Sequence, residues 1–151
     1  MKITKENLVT WGACSGGVEF FDAHFPAGEA DYQDALDVLA KEDKQDYALW
    51  LLRKAGEDTT KKLELDELAV EGSFFFSGLL SVKGSIKISK YLMAGSGIKA
   101  GRGIEAGDGI EAGDGYGIFA GIRVRIPDWN IYAVVSAKTK PENLISGFWK
   151  E

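Results

Sequence analysis

From Leu68 onward the chain repeats every six residues for ten rounds, and that period restricts the fold more than any other feature. Ile98, Ile104 and Ile110 fall six apart, and Ala100, Ala106 and Ala112 follow each by two. The same frame runs back through Leu92/Ala94, Ile86/Ile88, Leu80/Val82, Phe74/Phe76 and Leu68/Val70. It runs forward through Tyr116/Ile118 and Ile122/Val124. Apolar positions two apart describe a three-residue strand whose ends point to one side, followed by a tight corner. Such units cannot bury their apolar side alone, but stacked in series they share one core, as in a β-solenoid. Three hexads then make an 18-residue, three-sided coil. Glycine marks the corners, from Gly95 and Gly97 to Gly113 and Gly115, and supplies positive φ or close backbone approach. With an 18-residue coil, outward side chains 18 apart stack at about 4.8 Å. Lys87, Glu105 and Arg123 would form a column of alternating sign, with Lys90 against Asp108.

The first 60 residues lack the repeat and read as helices. Thr4 is placed to cap a short helix carrying Leu8, Val9 and Trp11, ended by Gly12. Ser15 is placed to cap a second, stopped by Pro26. A third spans Ala30 to Glu42, with Tyr32, Ala35, Leu36, Val38 and Leu39 at helical spacing. Asp43 is expected to cap a last helix from Lys44 to Ala55, with Gly56 at its C-terminus. Helices this short are marginal alone, so they should pack on one another and on an end of the solenoid, which needs covering. Beyond Arg125 the frame breaks at Pro127; Asn130–Ala137 reads as one more strand. Pro141–Trp149 reads as a short helical tail over the last rung. The expected class is therefore α+β: a helical unit over residues 1–60 capping a parallel, three-sided β-solenoid over residues 61–127. Residues 128–151 supply a C-terminal strand and capping tail.

Charge divides along the same line. Residues 1–58 hold twelve acids against six bases, whereas residues 59–151 hold eleven against twelve. Neither half has the basic footprint of a nucleic-acid binder, and the acidic half either keeps the chain soluble or meets a basic protein surface. No apolar run reaches membrane-spanning length. The polar N-terminus does not resemble a secretory signal, and a single cysteine fits a reducing cytoplasm, the expected location.

Chemistry-bearing residues are few. His24 is the single histidine and reads as a structural residue; Cys14 lies in a glycine-rich turn and reads as inert. A Cys14–His24 pair within hydrogen-bond reach in a cleft would point instead to a small-ligand binder or an enzyme. Asp108 and Asp114, six apart, belong to different sides of a three-sided coil and so do not share a metal. No catalytic, cofactor-binding or metal-binding residue is assigned. Hexapeptide acyltransferases resemble this chain in period, and they use a solenoid histidine as base. Residues 59–151 contain no histidine, so that role does not carry over.

LVTWGACSGGVEFFDAHFP near the N-terminus, together with tandem GIKAG and GIEAG hexads, resembles small proteins of enterobacterial phages and prophages. The resemblance implies a phage protein acting in a bacterial cell by binding a host protein or complex. It is expected to be non-catalytic, without a cofactor, and to inhibit a defence system such as CRISPR or restriction. The candidate contacts are Asp31, Asp34, Asp37 and Asp43, with Trp11 and Trp50 as anchors. Direct binding to nucleic acid or membrane is not expected. The alternative is a self-assembling structural solenoid, with the last coil's edge and the Phe74–Phe76 run as contacts.

Overall fold

Each hexad forms one strand, and every third strand stacks in register on the one a coil below. The computed structural model describes all 151 residues. β1 (Lys2–Thr4) pairs antiparallel with β2 (Glu29–Asp31), and between them lie α1 (Lys5–Thr10) and α2 (Ser15–His24). α3 (Tyr32–Lys41) and α4 (Gln45–Ala55) complete the helical unit. The small β1–β2 ladder was not anticipated from the sequence.

Thr4 caps α1 as expected: its hydroxyl accepts from the Asn7 N–H, and the Asn7 side chain accepts in return from the Thr4 N–H, each at 3.0 Å. Three other boundaries differ. Cys14, not Ser15, caps α2, its sulfur accepting from the Gly17 N–H at 3.4 Å. The third helix begins at Tyr32 rather than Ala30, because Asp31 caps it and Ala30 is held in β2. Asp43 does not cap α4; it adopts a left-handed φ of 56°, and Lys44 stands at the cap without a side-chain bond.

The solenoid follows. β3 (Lys62–Leu65), β4 (Leu68–Val70) and β5 (Phe74–Phe76) form the first coil. β6 (Leu79–Val82), β7 (Ile86–Ile88) and β8 (Tyr91–Ala94) form the second, and β9 (Ile98–Ala100), β10 (Ile104–Ala106) and β11 (Gly109–Glu111) the third. β12 (Ile118–Phe119), α5 (Trp129–Tyr132), β13 (Val134–Ser136), β14 (Leu144–Ser146) and β15 (Phe148–Trp149) close the chain. The three parallel sheets run β3-β6-β9-β12-β14, β4-β7-β10-β13-β15 and β5-β8-β11. Leu68 lies beside Ile86 and Ile86 beside Ile104, the 18-residue spacing read from the sequence. Inward residues such as Leu80, Ile98, Ile104 and Ile118 are fully buried in one continuous apolar core.

Regularity ends after β11. Ile118 stacks on Ile98, twenty residues back, so two extra residues have entered the coil. Tyr116 and Ile122, expected to point inward, are exposed. Gly121 and Arg123 still donate to the Arg102 and Gly101 carbonyls of the coil below, each at 2.9 Å, but the chain then departs from the repeat, and β13 takes the place above β10. Glu105 therefore sits between Lys87, at 3.8 Å, and Ser136, so Arg123 is not part of that column. Asp108 does lie one coil from Lys90, its N–H donating to the Lys90 carbonyl at 2.9 Å. The Lys90 ammonium nevertheless pairs with Asp43 at 2.8 Å, and Asp108 pairs with Lys138 at 3.1 Å. The strand foreseen over Asn130–Ala137 begins as α5 and becomes extended only at Val134. The tail foreseen as helical is extended, because Leu144 and Trp149 pack on the core as two further rungs.

The helical unit lies along a side of the solenoid and reaches its first edge only at β5, through Gln33 and Asp58, so it does not seal the end of the core. α3 and α4 pack against β5 and β8, and the outward side chains of those strands, Phe75 and Met93, are only 1% and 2% exposed. Both belong to the apolar core of the helical unit. This burial removes Phe75 from the surface where self-association was envisaged. The first coil's inward residues Leu63, Leu65, Val70 and Phe74 are partly exposed, while Leu80, Val82, Ile88 and Leu92 one coil later are sealed.

Asp58 joins the two parts. Its backbone N–H donates to the Ser77 carbonyl at 2.9 Å, and its buried carboxylate accepts from the Thr60 hydroxyl at 2.6 Å and the Thr60 N–H at 3.1 Å. The Thr60 hydroxyl holds the carboxyl below the usual aspartate range; burial opposes this, and the Thr60 N–H and nearby cations assist. A depressed folded pKa means stability that is present above the unfolded value and lost as pH falls through the folded one. Asp58→Ala should cost about 1–2 kcal/mol near neutral pH, and the gap from the parent should narrow as urea titrations are repeated toward pH 3. A gap independent of pH would show that the ionised carboxylate is not what stabilises the junction.

Candidate interaction site

Gln33 is the side chain that fixes the helical unit on the solenoid. From the first turn of α3 its amide donates to the Phe75 carbonyl at 2.7 Å and accepts from the Ser77 N–H at 2.9 Å. These bonds satisfy backbone groups on the outer side of the first coil, where no neighbouring strand reaches them. Nearby, the Tyr32 hydroxyl donates to the Gly56 carbonyl at 2.8 Å, and burial, then Asp58, raises its pKa well above the ordinary value.

The candidate contact residues have different environments. Asp31 caps α3, accepting from the Gln33 N–H at 3.2 Å. Asp37 accepts from the Gln33 amide at 2.8 Å, so it steadies the docking side chain while remaining exposed. Asp43 pairs with Lys90 and raises that lysine's pKa, through a hydrogen bond first and charge second. Asp34 is exposed and makes no side-chain bond. The outer surface of α3 thus presents Asp34 and Asp37 in one row, opposite the buried Ala35, Leu36 and Leu39. Trp11 and Trp50 are both half-buried against the helical core rather than free anchors.

Trp50 forms one wall of an apolar cleft of about 290 Å³ in the helical unit. Phe20, Phe21, Leu39, Cys14 and Asp46 are among the residues that line it. Cys14 is exposed. His24 lies at the other end of α2, its ring stacked on Phe20 at 4.1 Å and its Nδ1 bonded to the Phe20 carbonyl at 2.9 Å. Ten helical residues separate cap from terminus, about 15 Å of rise, so Cys14 and His24 do not form the pair that nucleophilic chemistry would require. No group of three or more His, Cys, Asp or Glu side chains converges to hold a metal ion. No helix is long and apolar enough to cross a membrane.

Next to the C-terminal end of α4, the β5-β8-β11 sheet stops two strands short of its neighbours. A groove of about 1070 Å³ lies beside β11, bordered by Arg53, Glu111, Glu142 and Asn143. Burial raises the Glu111 carboxyl pKa; Arg53 opposes, and Glu142 and Asp114 add to the rise. Sequence reasoning singled out neither Gln33 nor this groove. Gln33 carries no pattern of its own, and the groove exists only because the frame slips after β11.

No curated protein and no solved structure is matched by the chain. Residues 1–57, the helical unit, match the family model of the YdhT N-terminal domain.

Proposed function

We propose that this is a non-catalytic, phage-type interaction protein that occupies the surface of a bacterial defence complex, of the CRISPR or restriction kind, in the host cytoplasm. The observation carrying this reading is the acidic row of α3, Asp34 and Asp37, on a helix clamped to the solenoid by Gln33 and Phe75. A surface held this way loses little conformational freedom on binding. Its charge suits a basic patch, such as the surface on which a defence complex carries nucleic acid. The phage setting rests on resemblance of the N-terminal segment and hexads, and the defence target on that setting.

The test is phage plaquing on cells with an active CRISPR or restriction system, with and without the protein. Expression should restore plaquing, and Asp34→Lys should reduce the restoration while circular dichroism shows the fold intact. Unchanged immunity in the presence of abundant wild-type protein, across both defence types, would overturn the reading.

A further inference from the structure

Residues 121–133, the irregular segment between β12 and β13, carry four of the nine large apolar side chains exposed in the chain. Ile122, Ile126, Ile131 and Tyr132 are 58%, 72%, 63% and 48% exposed. The segment is anchored internally. The Trp129 indole N–H donates to the Val124 carbonyl at 2.9 Å, and a short 3-10 turn over Ile126–Asp128 leads directly into α5. At Gly121, φ is 72° and any Cβ would collide with Ala133 and Trp129. Three of the chain's four arginines adjoin it: Arg123, Arg125 and Arg102, whose guanidinium lies 4.8 Å from the Tyr132 ring centre. None of the three is in an ion pair. Grouped apolar, tyrosine and arginine side chains on a rigid projection are the composition of a contact hot spot.

The complement is on the same molecule. The cleft beside Cys14 holds about 290 Å³, just under the range of about 300–1,000 Å³ in which small-molecule sites fall, and is sized for inserted side chains. Its one charged lining residue is Asp46. It belongs to the part of the chain with twelve acids against six bases. Residues 121–133 carry two arginines against one acid, Asp128, with Arg102 beside them, so the projection opposes the acidic helical unit in net charge.

We propose that the Ile126–Tyr132 projection of one copy inserts into the Cys14-side cleft of a second copy, with Arg123 and Arg125 facing its acidic helical unit. The two surfaces differ, so a pair keeps one free projection and one free cleft, and association continues into a chain or closes into a ring. The charged surroundings make it weaken as salt rises. This contact is independent of the host-binding surface on α3.

Sedimentation velocity of the full chain over a concentration series should show species beyond the monomer, diminished by salt. Ile126→Asp, at a solvent-exposed position, should weaken association about tenfold or more without altering the circular dichroism. Under mild oxidation, Ile126→Cys or Ile131→Cys should give a ladder on a non-reducing gel through Cys14 of the neighbouring copy. The ladder should vanish when Cys14→Ser, itself a good helix cap, is added. A monomer at every concentration would overturn the proposal. So would oligomers that persist in Ile126→Asp and give no Cys14-dependent ladder, since the contact would then lie at the solenoid ends.

Discussion

Gly101→Ala should destabilise the protein by about 3 kcal/mol or more, a fall of about 10 °C in melting temperature for a chain of this size. A Cβ at Gly101 would overlap the Lys83 carbonyl one coil below. The same collision recurs at Gly95 with Ser77, Gly107 with Ser89 and Gly113 with Gly95. None of these corner glycines has a positive φ. What they require is space: the coil spacing leaves no room for a side chain where one corner passes over the next. Gly115→Ala is the contrast, since φ is 82° there and nothing lies within 4 Å of a new Cβ. It should cost only about 1–2 kcal/mol of backbone strain. Equal losses in the two variants by thermal melting would exclude coil contact as the cause.

Phe75→Ala should cost about 3–5 kcal/mol and, unlike a loss inside the solenoid, should loosen the helical unit selectively. Phe75 points outward from β5 into the helical core, beside the Gln33 bonds to the Phe75 carbonyl and Ser77 N–H. Removing the ring opens a cavity between two parts joined in sequence only through the Asp58 junction. Amide exchange in α3 and α4 should accelerate far more than in β9 and β10. Phe75→Leu should retain most of the protection. Uniform acceleration throughout the chain would mean that both parts unfold as one unit, and that docking is not a separable step.

The solenoid was legible because its signal is redundant: Ile86, Ile98, Ile104 and Ile110 all report the same frame, and each occupies an inward position. The slip after β11 was not, because Ile118 keeps an apolar residue in phase with the repeat whether or not two residues have been inserted before it. The tail misled for a related reason. Leu144, Ile145, Phe148 and Trp149 fit a helix, and only the open rungs above β12 and β13 make them strands. The side covered by the helical unit did leave a trace. Among the middle residues of the hexads from Ala69 to Glu111, only Phe75 and Met93 are large and apolar, and they are 18 apart. Of the candidate contacts, Asp34 and Asp37 lie on an open surface, whereas the structural duties of Asp31 and Asp43 depend on neighbours that spacing does not reveal.

A three-sided coil also sets a rule for how such a chain can change length. Deleting one hexad between β8 and β12 would leave each local strand and corner chemically sound. It would, however, swing the Ile126–Tyr132 projection by a third of a turn about the solenoid axis relative to α3. Deleting three would preserve that bearing and lower the projection by one rung, about 4.8 Å. Hexad number therefore acts as an angular setting between two surfaces that never touch, and drift in length is tolerated in multiples of eighteen where their relative direction matters.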